Sequence, residues 1–417
     1  SHCYSDRERK HEKFSSWRFK FLYNMIGPKV LRLSSRAVSF NSGRARMARF
    51  TSSTPSLFTT SDEDNNLLQQ ETGLSHLRLK HSVEPIPYTS GVELTPLNTV
   101  DDKLGHKKVS VVGCGQVGMA IAYSMLNQVT AGTIALVDMN KEKLFGEAKD
   151  LEQGSAFHQH VRILASDEYS VSQDSNLVII TAGAAQKPGE SRLNLLERNV
   201  GIMKNIVPKV LTFSPNASIC IVANPVDIMT AVAAKIAGPS IPPGRIFGSG
   251  TCLDSSRLRS LLAKKLDLDA SAVNGYVIGE HGDSSVPVWS SVRVGGVPLL
   301  KNGEEPTSLH DSMHNEVVNS AYDVIQKKGY TNWAVGLTGS HIARAVMDDT
   351  RQVMPLSTCV RGLYGIEEDI FTSMPCVVGS TGVRRVVELP LTGSEKAKLL
   401  QSTKTLWGMQ KDIWEMI

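Results

Sequence analysis

The chain has 417 residues, 41% hydrophobic and 21% charged, a globular composition with ample core material and more length than one ordinary domain. Its net charge of +4 is unevenly placed: residues 1–60 hold twelve Lys/Arg against three Asp/Glu, so the remainder is net acidic and carries no basic footprint for nucleic acid. Six cysteines (Cys3, Cys114, Cys220, Cys252, Cys359, Cys376) lie far apart without CxxC pairs, which excludes a disulfide framework and a zinc site as readings, and no apolar run approaches the roughly eighteen residues that span a bilayer.

In chain order, residues 1–60 come first. No Asp or Glu occurs from Lys13 to Ser61, whereas nine Lys/Arg and many Ser/Thr do. That is the composition of a mitochondrial transit peptide, and a presequence starting at Met25 fits it; a basic tail without a targeting role, on a cytoplasmic protein, is the alternative. Residues 61–105 begin with the acidic stretch SDEDNNLLQQETG and continue into the Pro-punctuated SVEPIPYTSGVELTPLNTV, read as a linker or extended arm.

Ordered structure is predicted from Lys107. The stretch KKVSVVGCGQVGMAIAYSMLNQVTAGTIALVDMN reads as buried strand, glycine-rich turn, helix, and second strand ending in an acid. This is G-x-G-x-x-G in its proper setting. Gly113 permits the tight turn, Gly115 lets the backbone approach a pyrophosphate, and Gly118 allows close packing of helix on strand. Asp138, twenty residues past Gly118, is placed to accept from a ribose 2′-hydroxyl and to repel a 2′-phosphate, which favours NAD over NADP. Further strands are predicted at SNLVIITAG (175–183) and ASICIVANPVD (217–227), alternating with helical segments such as ERNVGIMKNIVPKVL. Such alternation implies a parallel, doubly wound sheet, with ligands beyond the carboxyl ends of its strands.

Between those strands lies TAGAAQKPGESRLNL (181–195), which combines the turn formers Pro188 and Gly189 with one neutral amide, Gln186, and one fixed cation, Arg192. It reads either as an ordinary surface loop or as a lid that carries Arg192 onto a bound anion. Downstream, GTCLDSSRLRSLLAKKL is a predicted helix with Asp254 and Arg257 three residues apart on one face. GYVIGEHGDSSVPVW places His281 after an apolar strand, in a loop of glycines and acids.

From KKVSVVGCGQVG to KTLWGMQKDIWEMI, and through LDSSR, GEHGDSS, KGYTNWA and GLYGIEEDIF, the chain resembles the L-lactate dehydrogenases of the lactate and malate dehydrogenase superfamily. The resemblance implies a Rossmann NAD-binding domain at 106–248 followed by a mixed α/β substrate-binding domain at 249–417, and a homotetramer. It implies His281 as acid/base, Asp254 orienting its ring, Arg257 gripping the substrate carboxylate, and Arg192 polarising the ketone oxygen. It also implies Asn224 as a hydrogen-bond donor beside cofactor and substrate, before a cis Pro225, and Thr331 as a wall for the substrate side chain. Related malate dehydrogenases carry Arg at the place of Gln186; a buried second carboxylate left without that partner costs roughly 3–5 kcal/mol, which favours pyruvate over oxaloacetate. Malate dehydrogenase and a non-catalytic nucleotide-binding relative are the alternatives. Members activated by fructose 1,6-bisphosphate carry a His seven residues before the catalytic one; here Asn274 stands there, with Arg259 retained, so that activation is not expected.

Overall fold

The computed structural model describes residues 107–158, 161–184, 192–301, 303–414 and 417, with the side chains of 192 and 193 outside the description. Five short apolar segments build the first half. They are β1 (Lys108–Val112), β2 (Thr133–Val137), β3 (Arg162–Ser166), β4 (Leu177–Ile180) and β5 (Ser218–Ile221), joined by β6 (Ile246–Gly248). All six run parallel in the order β3-β2-β1-β4-β5-β6. β2, β4 and β5 are buried at every position, as strands covered on both faces must be.

Four of the five crossovers are α-helical, α1 (Gln116–Asn127), α2 (Lys141–Gln153), α3 (Arg192–Phe213) and α4 (Val226–Ala237), while β3 leads to β4 through the short 3-10 turn Tyr169–Ser172. α2 starts where the Asn140 side chain accepts the Lys143 N–H, satisfying a donor that the first turn leaves open. The strand expected over 217–227 is shorter than its sequence suggests. It ends at Ile221, and Val226 already begins α4. VDIMTAVAAKIA is apolar on nearly all faces, so hydrophobicity alone cannot separate strand from buried helix there; Pro225, fixed at a φ suited to a helix start, marks the boundary.

The second half extends the same sheet. β7 (Val273–Asn274), β8 (Val277–Ile278), β9 (Val286–Pro287), β10 (Arg293–Val294) and β11 (Val297–Pro298) are short, while β12 (Gln352–Cys359), β13 (Phe371–Gly379) and β14 (Gly382–Val386) form an antiparallel meander. β12 joins β6 through the pair Gly248 and Ser357, so nine strands form one continuous sheet. Its helices are α5 (Cys252–Leu266), α6 (Ser308–Lys328), α7 (Trp333–Met347) and α8 (Gly393–Trp414). One core follows the nine-stranded sheet, and a second gathers Leu258, Leu262, Trp289, Val292, Met313 and Val317 among α5, α6 and the β7–β10–β11 sheet.

Two contacts place the site. The glycine-rich turn after β1 is closed tightly: Gly113 has φ +95° and faces Ala182, and a Cβ on Gly118 would strike the Gly113 carbonyl. α7 then lies directly on α1, because Gly336 and Gly339 leave no side chain between the helices; a Cβ on Gly336 would sit 2.6 Å from the Ala120 carbonyl oxygen. That contact brings the helix following Thr331 against the helix that opens at the glycine-rich turn.

Candidate active site

The strand ends of the parallel sheet put the predicted residues on one edge. Asp138 follows β2, Asn224 follows β5, and Asp254 stands in the first turn of α5, reached from β6 through the tight turn at Gly248 and Gly250. Gly250, at φ +50°, runs so close to β12 and β13 that a Cβ would meet Ser373 Oγ at 2.5 Å. At this edge a cavity of about 370 Å³ is lined by Asn224, Asp254, Arg257, His281 and Thr331 together, with Val117 from α1 at its border.

The α5 spacing works as the sequence suggests. Asp254, 7% exposed, divides its two oxygens: Oδ1 accepts from Arg257 Nη1 at 2.8 Å and Oδ2 contacts His281 Nδ1 at 2.6 Å. With Nδ1 protonated toward Asp254, Nε2 is the ring atom left for a reacting proton. Burial alone would raise the Asp254 pKa, but the His281 and Arg257 charges and hydrogen bonds hold it below the usual carboxylate range. For His281, burial works against the imidazolium, and the Asp254 charge, its hydrogen bond and the Asp227 charge outweigh it; the ring titrates above the ordinary histidine value. Arg257 spends one N–H on Asp254 and has four more, enough for a bidentate grip on a carboxylate.

The His281 loop is fixed by residues the sequence did not single out. Gly279 exchanges main-chain hydrogen bonds with Ser373 of β13 at 2.9 and 3.0 Å, and the His281 N–H donates to Asp227 Oδ2 at 2.7 Å. Asp227, 2% exposed in the first turn of α4, is pushed up to about 6 by burial, against the opposing pull of Ser357, the His281 N–H and the His281 charge. Its signal in the sequence was an acid directly after Asn-Pro-Val, hidden by reading 217–227 as strand. Asn199 of α3 is a second residue of this kind: Oδ1 accepts the Ala184 N–H at 2.7 Å and Nδ2 donates to the Asn224 carbonyl at 3.2 Å. The Asn224–Pro225 bond is cis.

The cofactor end fits a dinucleotide. A Cβ on Gly115 would meet nothing within 4 Å, so the turn presents an open backbone face, and no side chain caps the start of α1. Asp138 Oδ2 accepts from Cys114 N at 2.6 Å and Oδ1 from Asn140 N at 2.9 Å, which ties the acid to the glycine-rich turn. Thr181 Oγ1 donates to the Gly113 carbonyl from the far side.

Gln186 lies outside the described residues. Arg192 is the first residue of α3, with its side chain outside the description. Arg259 is turned onto its own chain, donating to the Val273 and Ala270 carbonyls at 2.7 and 3.3 Å. Cys252, beside Asp254, is held in its thiol form: burial and the Asp254 charge push it up to about 12. Among the described residues no helix is long and apolar enough to cross a membrane.

A glycine-rich βαβ turn with an acid at the second strand, joined through one sheet to a buried His–Asp–Arg cluster, defines a dinucleotide-dependent oxidoreductase. The chain belongs to the lactate/malate dehydrogenase family: residues 107–248 match its NAD binding domain and residues 251–416 its alpha/beta C-terminal domain. It is 45% identical over 328 residues to the L-lactate dehydrogenase B-A chain of Danio rerio, covering 78% of this chain and 98% of that one. To the L-lactate dehydrogenase A chains of Ambystoma mexicanum and Columba livia it is 49% identical over 313 residues, 74% of this chain and 93% and 94% of theirs.

Proposed function

We propose that the protein is an NAD-dependent L-lactate dehydrogenase interconverting (S)-lactate and pyruvate. The carrying observation is that His281, Asp254 and Arg257 form one hydrogen-bonded unit on the wall of a cavity shared with Asn224 and Thr331. Removing hydrogen from a secondary alcohol needs a base for the hydroxyl proton. His281 Nε2 takes it, and Asp254, already ionised, stabilises the imidazolium that forms. In the reverse direction the same raised affinity keeps a proton ready for the ketone oxygen. Arg257 holds the substrate carboxylate and Asn224 donates near the reacting oxygen. Bound NAD supplies the acceptor or donor of the hydride. The family's malate dehydrogenases are the second reading, and Gln186 argues against it by leaving a second carboxylate without a cation.

Two coarser matters accompany this reading. The family resemblance supports a homotetramer, which light scattering of the purified protein tests by its mass; a monomer would overturn it. The acid-free, basic composition of residues 25–60 supports mitochondrial targeting. A reporter fused to those residues should enter mitochondria, and a purely cytosolic reporter would refute the assignment.

NADH oxidation by the purified chain, with pyruvate and oxaloacetate compared side by side, tests the function. Pyruvate should be preferred, and a preference for oxaloacetate would contradict the reading. Gln186→Arg then supplies a cation for a second carboxylate and leaves pyruvate facing a buried charge, so kcat/KM should swing toward oxaloacetate by roughly three or more powers of ten. If the variant keeps its preference for pyruvate, Gln186 is not the selector.

A further inference from the structure

Ser402 lies in the middle of α8, fully buried, and is not part of the cavity wall. Its Oγ accepts the Glu280 N–H at 3.0 Å and stands 3.0 Å from Ser284 Oγ. The Ser284 proton is directed to Glu280 Oε2, so in the serine pair Ser402 is the donor. The bonds therefore close into a ring: Glu280 N–H to Ser402, Ser402 to Ser284, Ser284 to the Glu280 carboxylate. Each hydroxyl donates once and accepts once.

This ring begins and ends on Glu280 and encloses residues 281–283. The Glu280 side chain lies across Gly282, where a Cβ would come within 3.2 Å of its carboxyl carbon. Gly279, at φ +83°, lets the chain approach α8 so closely that a Cβ there would be 3.0 Å from Ser402 Oγ. α8 is itself anchored independently of the ring. Buried Glu395 accepts from Ser290 N at 3.0 Å, Ser290 Oγ at 2.7 Å and Thr392 N at 2.9 Å, and Gln410 Nε2 donates to the Asp369 carbonyl at 2.6 Å.

We propose that Ser402 is a positioning residue for His281. Acting through Glu280 and Ser284, its hydroxyl fixes the main chain on both sides of the histidine, so that the ring meets Asp254 and faces the cavity at once. The proposal rests on the reading of His281 as the acid/base.

Ser402→Ala opens the ring and leaves Arg257, Asn224 and the glycine-rich turn untouched. kcat for pyruvate reduction should fall about tenfold or more while KM for pyruvate and NADH affinity stay within about threefold, because the loss is of orientation and not of binding. The pH at which kcat/KM for pyruvate declines should also move down, toward the ordinary histidine range, as the coupling of the ring to Asp254 loosens. Ser284→Ala, which cuts the ring at a less buried hydroxyl, should move both readouts the same way and decides the matter if Ser402→Ala does not fold. An unmoved pH limb with kcat within about twofold of the parent, in whichever of the two variants is folded, overturns the proposal. His281→Gln, assayed in parallel, separates the two claims: full activity there defeats the acid/base reading, whereas an inert Ser402 defeats only this one.

Discussion

Everything in this site depends on one carboxylate that is buried and shared. Asp254 is out of water, and burial alone would favour its neutral form; it is ionised because an imidazole and a guanidinium each take one of its oxygens. Both partners are in turn made usable by it. His281 holds its proton more tightly than an isolated imidazole, and Arg257 is pinned on one N–H so that its remaining donors have a fixed direction. Removing one member of such a buried pair typically costs about 3–5 kcal/mol, because the charge left behind has no compensation. The three side chains are better regarded as a unit than as separate contributors.

The rest of the fold delivers that unit to one point. β6 turns at Gly248 and Gly250 into α5, and the close packing of this turn on β12 and β13 fixes where Asp254 begins its helix. The His281 loop arrives from a different direction and is tied to β13 at Gly279 and to α4 through Asp227. α7, lying on α1 through Gly336, sets the wall that contains Thr331 against the helix of the glycine-rich turn. Because the parallel strands and the antiparallel meander belong to one sheet, cofactor edge and substrate cavity share a single frame.

What was legible in the sequence was local. Gly113, Gly115 and Gly118 act through backbone geometry and Asp138 through its carboxylate, all within about one βαβ unit, and Asp254 and Arg257 are neighbours by helix periodicity. His281 became legible through its glycine-rich setting together with the family resemblance. Asp227, Asn199, Ser373 and Ser402 were not, because each acts across a distance in the chain that only the fold closes, and a lone Ser or Asn has no periodic signature. The helix start at Val226 was obscured for another reason: an apolar segment buried on every side satisfies strand and helix patterns alike. The link between β6 and β12 rests on one residue pair and leaves no mark in composition.

The claim that the shared carboxylate governs the chemistry is tested most directly by kcat/KM for pyruvate reduction as a function of pH in the parent enzyme and in Asp254→Asn. With His281 as the proposed acid/base, reduction draws on its protonated form, so in the parent the rate should hold at low pH and fall as pH rises through a midpoint above the ordinary histidine value. In Asp254→Asn the imidazolium loses its partner charge: the midpoint should drop, and kcat/KM at pH 7 should fall by about a hundredfold or more. A variant with the parental midpoint and a loss of less than about threefold would contradict the account.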